Sequence, residues 1–403
     1  MNETTTPLWL KRGEERRLRA GHLWIYSNEV DTDRSPLKTL SPGQAVEIRD
    51  SHGKTLGCGY ANPHSLICAR LVSRDAEHFL SESLLVHRLK VALGLRERLY
   101  SEPYYRLVHG EGDGLPGLVV DRYGEVCVAQ INTAGMEAVK ADIIAALKRV
   151  IGARHVLIRA DSSMRALEGL ESYVEWADEP GPDELTVHEN GIEFKVPALG
   201  GQKTGWFYDH RANRARLAKY CRGARVLDVF SYAGAWSLPA LAAGAEEAHA
   251  VDSSAQALEY AAGNAERNGF SERFHTHHGD AMEVLRALRA ERQHFDVIVL
   301  DPPAFIKRRK DMRQGIKGYQ ALNQAAMQLL SKDGLLVSAS CSSHLPEDEL
   351  VRIVLGSARH LDRTAQILEL GQQAVDHPVH AALPETRYLK AVFARVLPAK
   401  VMP

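Results

Sequence analysis

No stretch of this chain is apolar for long enough to cross a membrane as a helix. The first residues, Met1 to Thr6, lack the basic region and apolar stretch of a secretory signal, so a cytoplasmic protein is expected. Cysteine is sparse: Cys58, Cys68, Cys127, Cys221 and Cys341 are scattered and odd in number. That argues against a disulfide framework and for a reducing compartment. No Cys-x-x-Cys pair occurs, so a structural zinc site is not expected. Excess charge is lacking too, with 50 basic and 51 acidic residues and a formal net charge of -1. Global charge therefore announces no polyanionic partner. Local clusters still can, because phosphate attraction acts over about a Debye length, roughly 8–10 Å.

What is present is an ordinary globular composition, 45% hydrophobic and 25% charged over 403 residues. Such a chain can bury two or three domains. Residues 1–75 read as a small β-rich module, with strands at 44–49, 55–60 and 66–72 separated by turns. Ahead of these strands lies a basic run, Lys11, Arg12, Arg16, Arg17 and Arg19, then Trp24 and Tyr26. A solvated helix face and an RNA contact explain that run equally well. Residues 76–190 read as a central α+β domain: a helix over 76–100, a Gly-rich hairpin region at 105–123, a helix at 134–150 and a strand at 154–160. The acid- and Pro-rich stretch 178–184 looks like an exposed loop or linker. In residues 191–403 apolar strands at 225–229, 248–251, 295–300 and 335–339 alternate with helical stretches. That alternation implies a parallel sheet with helices on both faces. Two last strands, 364–371 and 388–397, predict a hairpin with an antiparallel strand on the sheet edge.

The chemistry-bearing residues cluster at predicted strand ends. Arg225–Val229 runs into Phe230, Ser231, Tyr232, Ala233 and Gly234 before a helix. Such a turn lets backbone N–H groups and a helix start face a ligand. The second strand ends at Asp252, whose carboxylate can accept from ribose hydroxyls. Alone, this pair says only that a nucleoside cofactor fits, an NAD enzyme included. Asp280 after the third strand, positioned for an adenine amino group, and Asp301-Pro302-Pro303 after the fourth turn the reading toward a methyltransferase. Two prolines make a stiff loop at the edge where ligands bind, and Asp301 would face the base being modified. The fifth strand ends at Cys341 among serines. A free cysteine is usually buried, but this strand end is expected to be open to the cleft. His275 and His277 should share a strand face, with no acid or cysteine joining them, so no metal is expected.

These segments resemble the bacterial ribosomal large-subunit methyltransferase I family over essentially the whole chain. The resemblance implies an N-terminal PUA-like RNA-binding β-barrel, a small central α+β domain and a class I methyltransferase fold. The last is a doubly wound, Rossmann-like sheet whose final strand is antiparallel. It also implies S-adenosylmethionine as cofactor and 5-methylcytosine in 23S rRNA as product. Gly200 to Arg211 resembles the family's cofactor-entry motif, by which Gln202, Tyr208, Asp209 and Arg211 line the cofactor site. Asp376–Val379 and Pro384–Lys390 resemble its C-terminal signature. Gly234-Ala235 stands where relatives often show two glycines, and His210 where many carry glutamine.

Cytosine C5 is a weak nucleophile, and attack by a Cys341 thiolate on C6 would activate it. The base must leave its stack, and Phe305 could stack on it or serve the core equally well. Lys307, Arg308, Arg309 and Lys310 follow at once, with Arg313 and Lys317 beyond, placing a basic cluster for phosphate contact beside the proposed site. Two rivals stand: methylation of a base nitrogen, which would leave Cys341 idle, and a non-catalytic RNA-binding assembly factor, which would not bind the cofactor. Oligomeric state is left open, a homodimer included.

Overall fold

The Ser81 hydroxyl accepts the N–H of Leu84 and starts the helix Glu82–Leu99, so the helical pattern beginning at 76 becomes a helix only here. This is a finding of the computed structural model, which describes residues 5–401. Residues 1–4, part of the stretch lacking signal character, lie outside the described residues. Contacts divide the chain into two compact units. The first runs to Leu185 and adds Pro197–Trp206 and Val375–Thr386; the second holds Thr186–Val196, Phe207–Ala374 and the chain from Arg387.

The first unit contains two five-stranded sheets. One is ordered Thr6–Trp9, Gln44–Arg49, Thr55–Ala61, Ile67–Ser73, Trp24–Tyr26, around a core of Leu8, Ile25, Val46, Ile48 and Leu71. The other is ordered Tyr173–Trp176, His155–Ala160, Val126–Ile131, Leu118–Tyr123, Tyr104–His109. The helices Glu82–Leu99 and Lys140–Ile151 pack on this second sheet's core. Between the sheets, the buried Glu168 carboxylate takes Arg70 at 3.0 Å and Asn62 Nδ2 at 2.7 Å. Removing one partner of such a pair is costly because a buried charge is then left alone.

In the second unit we number the strands of the large sheet β1 (Arg225–Val229), β2 (Glu247–Asp252), β3 (Phe274–His278), β4 (Phe295–Leu300), β5 (Leu330–Ser340), β6 (Arg363–Gln372) and β7 (Lys390–Pro398). Their order is β3-β2-β1-β4-β5-β7-β6. The first five are mutually parallel, and β7 is antiparallel to both its neighbours. The antiparallel strand is therefore inserted inside the sheet, and β6 rather than β7 forms the edge. The sequence expectation had that edge wrong. Strands β1 and β4 are near-continuous apolar runs because helices cover both faces. The edge strand β3, Phe-His-Thr-His-His, is polar and largely exposed.

Five helices connect and cover the sheet: α1 (Ser237–Ala242), α2 (Ala255–Arg267), α3 (Ala281–Ala290), α4 (Met312–Met327) and α5 (Glu347–His360). Leu322 and Ala326 of α4, with Leu350, Ile353 and Val354 of α5, pack with Ile298, Leu336 and Val392 of the sheet. Each large aliphatic group buried there contributes about 1.5–3 kcal/mol. The end of α2 is closed by a glycine cap. Gly269 takes a φ of +75°, and Phe270 N–H returns to Ala265 O at 2.8 Å.

Chain order reverses between β1 and β4. Ligands in open α/β sheets bind beyond the carboxyl ends at such a switch point. The loop entering that edge is braced from α2: Asn264, buried, donates to Lys195 O at 3.0 Å and Ala233 O at 3.2 Å, and accepts Lys195 N–H at 2.7 Å. Asn264→Ala would leave these backbone groups buried and unsatisfied, costing about 1–3 kcal/mol. Chemical denaturation should show a lower midpoint for this unit; an unchanged midpoint would remove the bracing role.

Candidate functional site

Strand register brings the predicted residues to one edge. Val229 pairs with Leu300, and Leu300 pairs with Ser338, so Asp301 and Cys341 both lie just past the carboxyl ends of adjacent strands. Asp252 closes β2 opposite His278 of β3, and Asp280 follows two residues later. The sheet thus gathers Asp228, the 230–234 loop, Asp252, Asp280, Asp301 and Cys341 along one rim.

The loop after β1 is bent into an unusual backbone. Phe230 has φ +67°, Tyr232 φ +50° and Gly234 φ +81°. The left-handed region costs a side-chain-bearing residue of order 1–3 kcal/mol and persists only where the surroundings enforce it. Here Phe230 and Ser231 N–H both donate to Val251 O, at 2.9 and 3.0 Å, and Tyr232 N–H donates to Asp252 Oδ2 at 2.9 Å. A Cβ on Gly234 would come within 2.6 Å of Leu238 Cδ1, which explains glycine there. Asp252 Oδ1 accepts Ser254 N–H at 2.9 Å, so the carboxylate is oriented from both sides.

Two buried polar atoms at this loop, Asp228 Oδ1 and Ser231 Oγ, have no protein partner. Such atoms are satisfied by a ligand or by ordered water. Together with the bent loop and the Asp252 carboxylate, they fit a nucleoside-containing cofactor. Asp280 has a second duty that the sequence did not reveal. Its Oδ1 caps α3, accepting Met282 and Glu283 N–H at 2.9 and 3.2 Å.

The remaining predicted cofactor residues divide between the units. Gln202 is exposed and belongs to the first unit. Tyr208, Asp209 and Arg211 belong to the second and are buried. The Arg211 guanidinium lies 5.2 Å from the Tyr208 ring centre and donates to His188 O at 3.2 Å. Asp209 Oδ2 accepts the Tyr388 hydroxyl at 2.6 Å. The C-terminal signature thus acquires a structural role through Tyr388.

Asp301 is held on both oxygens. His210 Nε2 lies 3.1 Å from Oδ1, and Trp236 Nε1 donates to Oδ2 at 3.1 Å. Burial pushes the Asp301 carboxyl up, but the His210 imidazole and the Trp236 N–H outweigh it, and the net shift is downward. Asp301 is thus a fixed carboxylate with one-fifth of its side chain exposed. Neither His210 nor Trp236 was assigned a role from sequence. His210 stood out as a departure from its relatives, but its partner is 91 residues away.

Cys341 is partly exposed, whereas the other four cysteines are buried. Burial raises Cys58 to about 11 and Cys68, Cys127 and Cys221 to about 12, which leaves them unreactive. Buried Ser342 fixes the backbone beside Cys341. Its Oγ accepts Ile306 N–H at 3.2 Å and meets the Tyr319 hydroxyl at 3.0 Å, and its carbonyl accepts Lys390 Nζ at 2.6 Å. Tyr319, Ser342 and Lys390 were likewise not signalled by sequence spacing.

Phe305 is partly buried, its ring centre 4.8 Å from that of Tyr319, so only part of the ring faces outward. Lys307, Arg308, Arg309 and Lys310 are exposed, with Arg308 pairing to Asp311 at 3.2 Å. In the first unit Lys11 and Arg12 are exposed, and Lys11 Nζ donates to Asn28 O at 2.8 Å. Arg17 and Arg19 are engaged by Glu29 and Asp50 at 2.7 and 2.8 Å.

The histidine cluster needs a correction. An acid does join it: Glu247 on β2 lies 3.1 Å from His249 and 3.5 Å from His275, and these three could in geometry hold a cation. However, Arg225 already donates to Glu247 at 2.5 Å, and a guanidinium there opposes a metal ion.

Family models match residues 8–74 as a PUA-like domain and residues 212–343 as conserved hypothetical protein 95. The chain is similar to ribosomal RNA large subunit methyltransferase I of Erwinia tasmaniensis, 36% identical, covering 98% of this chain and 100% of that protein. It is also 36% identical to the protein of that name from Photobacterium profundum, over 96% of this chain and 98% of that one. A crystal structure described as a methyltransferase complexed with SAH superposes with TM-score 0.81 at 20% identity, covering 97% of this chain and 100% of the other. An S-adenosylmethionine-dependent methyltransferase structure from Streptococcus mutans gives the same values.

Asp228 provides a pH test. Burial pushes its carboxyl from 3.8 to about 7, the Asp301 charge adds to the rise, and two hydrogen bonds from Ser237 to Oδ2, at 3.0 and 2.8 Å, oppose it. The folded state therefore holds a proton that the unfolded chain has lost between these values. The stability this lends is complete below about 4 and gone above about 7. Cofactor-free wild type should lose stability across that window relative to Asp228→Asn, measured by chemical denaturation. Parallel pH curves for the two proteins would contradict the assignment.

Proposed function

This chain belongs to the ribosomal RNA large subunit methyltransferase I family, S-adenosylmethionine-dependent enzymes, and from that premise we propose that it methylates cytosine C5 in 23S rRNA through a Cys341 adduct. The observation that carries the reading is the pairing of a fixed carboxylate, Asp301, with the one cysteine that is not buried, at adjacent strand ends. The loop 230–234, Asp252 and Asp280 would hold the cofactor, with Asp252 accepting from its ribose and Asp280 from its adenine amino group. Tyr208, Asp209 and Arg211 complete that site within the second unit. Bound there, S-adenosylmethionine supplies an electrophilic methyl group.

The chain's own residues do the rest. The Cys341 thiolate forms a bond to C6, and N3 gains a proton as the ring becomes an enamine. Asp301, kept ionised by its partners, accepts hydrogen bonds from the protonated N3 and the N4 amino group. After methylation the C5 proton passes to solvent, its electron pair re-forms the C5–C6 double bond, the S–C6 bond breaks and the thiolate returns, while N3 gives its added proton back to solvent. Phe305 walls the pocket that receives the flipped base. The basic residues Lys307 to Lys310 contact RNA phosphates beside it. In the first unit Lys11 and Arg12 of the PUA-like module supply further phosphate contacts. The three-part division at 1–75, 76–190 and 191–403 belongs to the same proposal.

With labelled S-adenosylmethionine and protein-free 23S rRNA, label should appear in 5-methylcytidine. Cys341→Ala should reduce it by on the order of 10³-fold or more. An active variant, or label in a different nucleoside, would sink the covalent mechanism and favour methylation of a base nitrogen. The RNA contact is tested separately. Replacing Lys307, Arg309 and Lys310 with Gln should weaken RNA binding and flatten its log–log salt dependence by up to about 2. An unchanged slope would place the phosphate contacts elsewhere.

A further inference from the structure

We propose that Lys390 is the positioning residue that holds Cys341 as a thiolate, ready for attack. The inference rests on Cys341 being the nucleophile. Lys390 opens β7 and pairs with Ser340 across the antiparallel ladder, one residue before Cys341. It is 6% exposed, and its Nζ donates to the carbonyl of Ser342, one residue after Cys341. The Lys390 backbone is thereby paired just before the thiol, and its ammonium is held at the carbonyl just after it.

A buried ammonium is costly unless an anion compensates it. Among the described residues no carboxylate lies within ion-pair distance of Lys390 Nζ. Glu347 at the start of α5 is in its field, but Arg387 takes that carboxylate at 3.3 Å. Arg387 itself opposes a charge on Lys390. Tyr319 approaches from α4, and burial pushes its phenol up, so it presents a neutral hydroxyl. Burial pushes Lys390 down to about 8, and the Cys341 sulfur is the strongest influence holding it up. The anion that this ammonium lacks is the thiolate.

The chemistry balances without another reactant. The Sγ–H bond breaks, its electron pair stays on sulfur, and the proton passes to water. Lys390 keeps its own proton, so the thiol beside an ammonium becomes a thiolate–ammonium pair. When the adduct collapses, the departing thiolate meets the same ammonium.

The test reads the thiol directly, without RNA. Iodoacetamide modification of Cys341 is followed against pH by peptide mass spectrometry on the full chain. The other four cysteines are buried, so labelling reports this one. Wild type should show a midpoint clearly below the free-thiol value of about 8.5. Lys390→Met should raise it by about one pH unit, a tenfold loss of thiolate near pH 7, and Lys390→Arg should keep it low. Circular dichroism and melting of each variant separate a lost charge from a lost fold. An unshifted midpoint in a folded Lys390→Met protein overturns the proposal. If that variant does not fold, a wild-type midpoint at or above about 8.5 overturns it equally. Either result leaves the nucleophile reading standing, since that reading fails only if Cys341→Ala still methylates.

Discussion

Ser342 is the residue on which the geometry of the rim depends. Its hydroxyl joins the loop after β4, through Ile306 N–H, to α4, through Tyr319. Its carbonyl joins both to β7 through Lys390. The Tyr319 hydroxyl also reaches Ser340 Oγ at 2.7 Å, so the backbone on each side of Cys341 is gripped. In a low-dielectric setting such bonds strengthen one another, and each group left unpaired costs about 1–3 kcal/mol. The network is why Cys341 can stay partly exposed yet hold a defined position next to Asp301.

How much of this the sequence revealed follows from what each element must bury. Strands β1 and β4 were legible because both faces are covered and their sequences are mostly apolar. The strands Tyr173–Trp176, Glu184–Glu189 and Ile192–Pro197 were not recognised individually, because polar residues alternate through them and the acid-rich stretch before Glu184 masks the start. The helix expected over 134–150 is two helices, Ala134–Ala138 and Lys140–Ile151, broken where Val139 leaves helical geometry at φ -111° and ψ 24°. Nothing in local pattern announces that 197–206 and 375–386 return to the first unit. That is a matter of tertiary packing.

The site divides the same way. Carboxylates at strand ends were found because topology forces strand ends to one edge. Their supports were missed because the partners are remote in sequence: His210 and Trp236 for Asp301, and Lys390 for the segment holding Cys341. The acid beside His275 was missed for a related reason. His249 and His275 face each other only in the register that β2 and β3 adopt, and Glu247 comes from the same strand as His249. Within the basic run, sequence pattern does not separate free cations from paired ones. Arg17 and Arg19 look equivalent to Lys11 and Arg12 in sequence, yet Glu29 and Asp50 neutralise them in the fold.

Two aspartates on adjacent strands, Asp228 and Asp301, are driven in opposite directions. Asp228 is wholly buried, its Oδ2 accepting two hydrogen bonds from Ser237, and burial raises its carboxyl to about 7. Asp301 is met by an imidazole and an indole N–H and falls. Each charge raises the cost of the other, so a protein that placed both in one environment would lose control of which is ionised. Separate environments settle it: the proton resides more readily on Asp228 beneath the 230–234 loop, and the negative charge on Asp301 at the end of the adjacent strand. Carboxyls whose surroundings push them apart mark a division of labour. Here it gives Asp228 a part in loop architecture and leaves Asp301 the ionised group at the rim, consistent with the base-recognition role proposed for it. The same arrangement explains why Lys390 stands on the far side of Cys341. With the fixed anion at β4, a thiolate at the end of β5, as proposed for Cys341, would draw its compensating cation from β7.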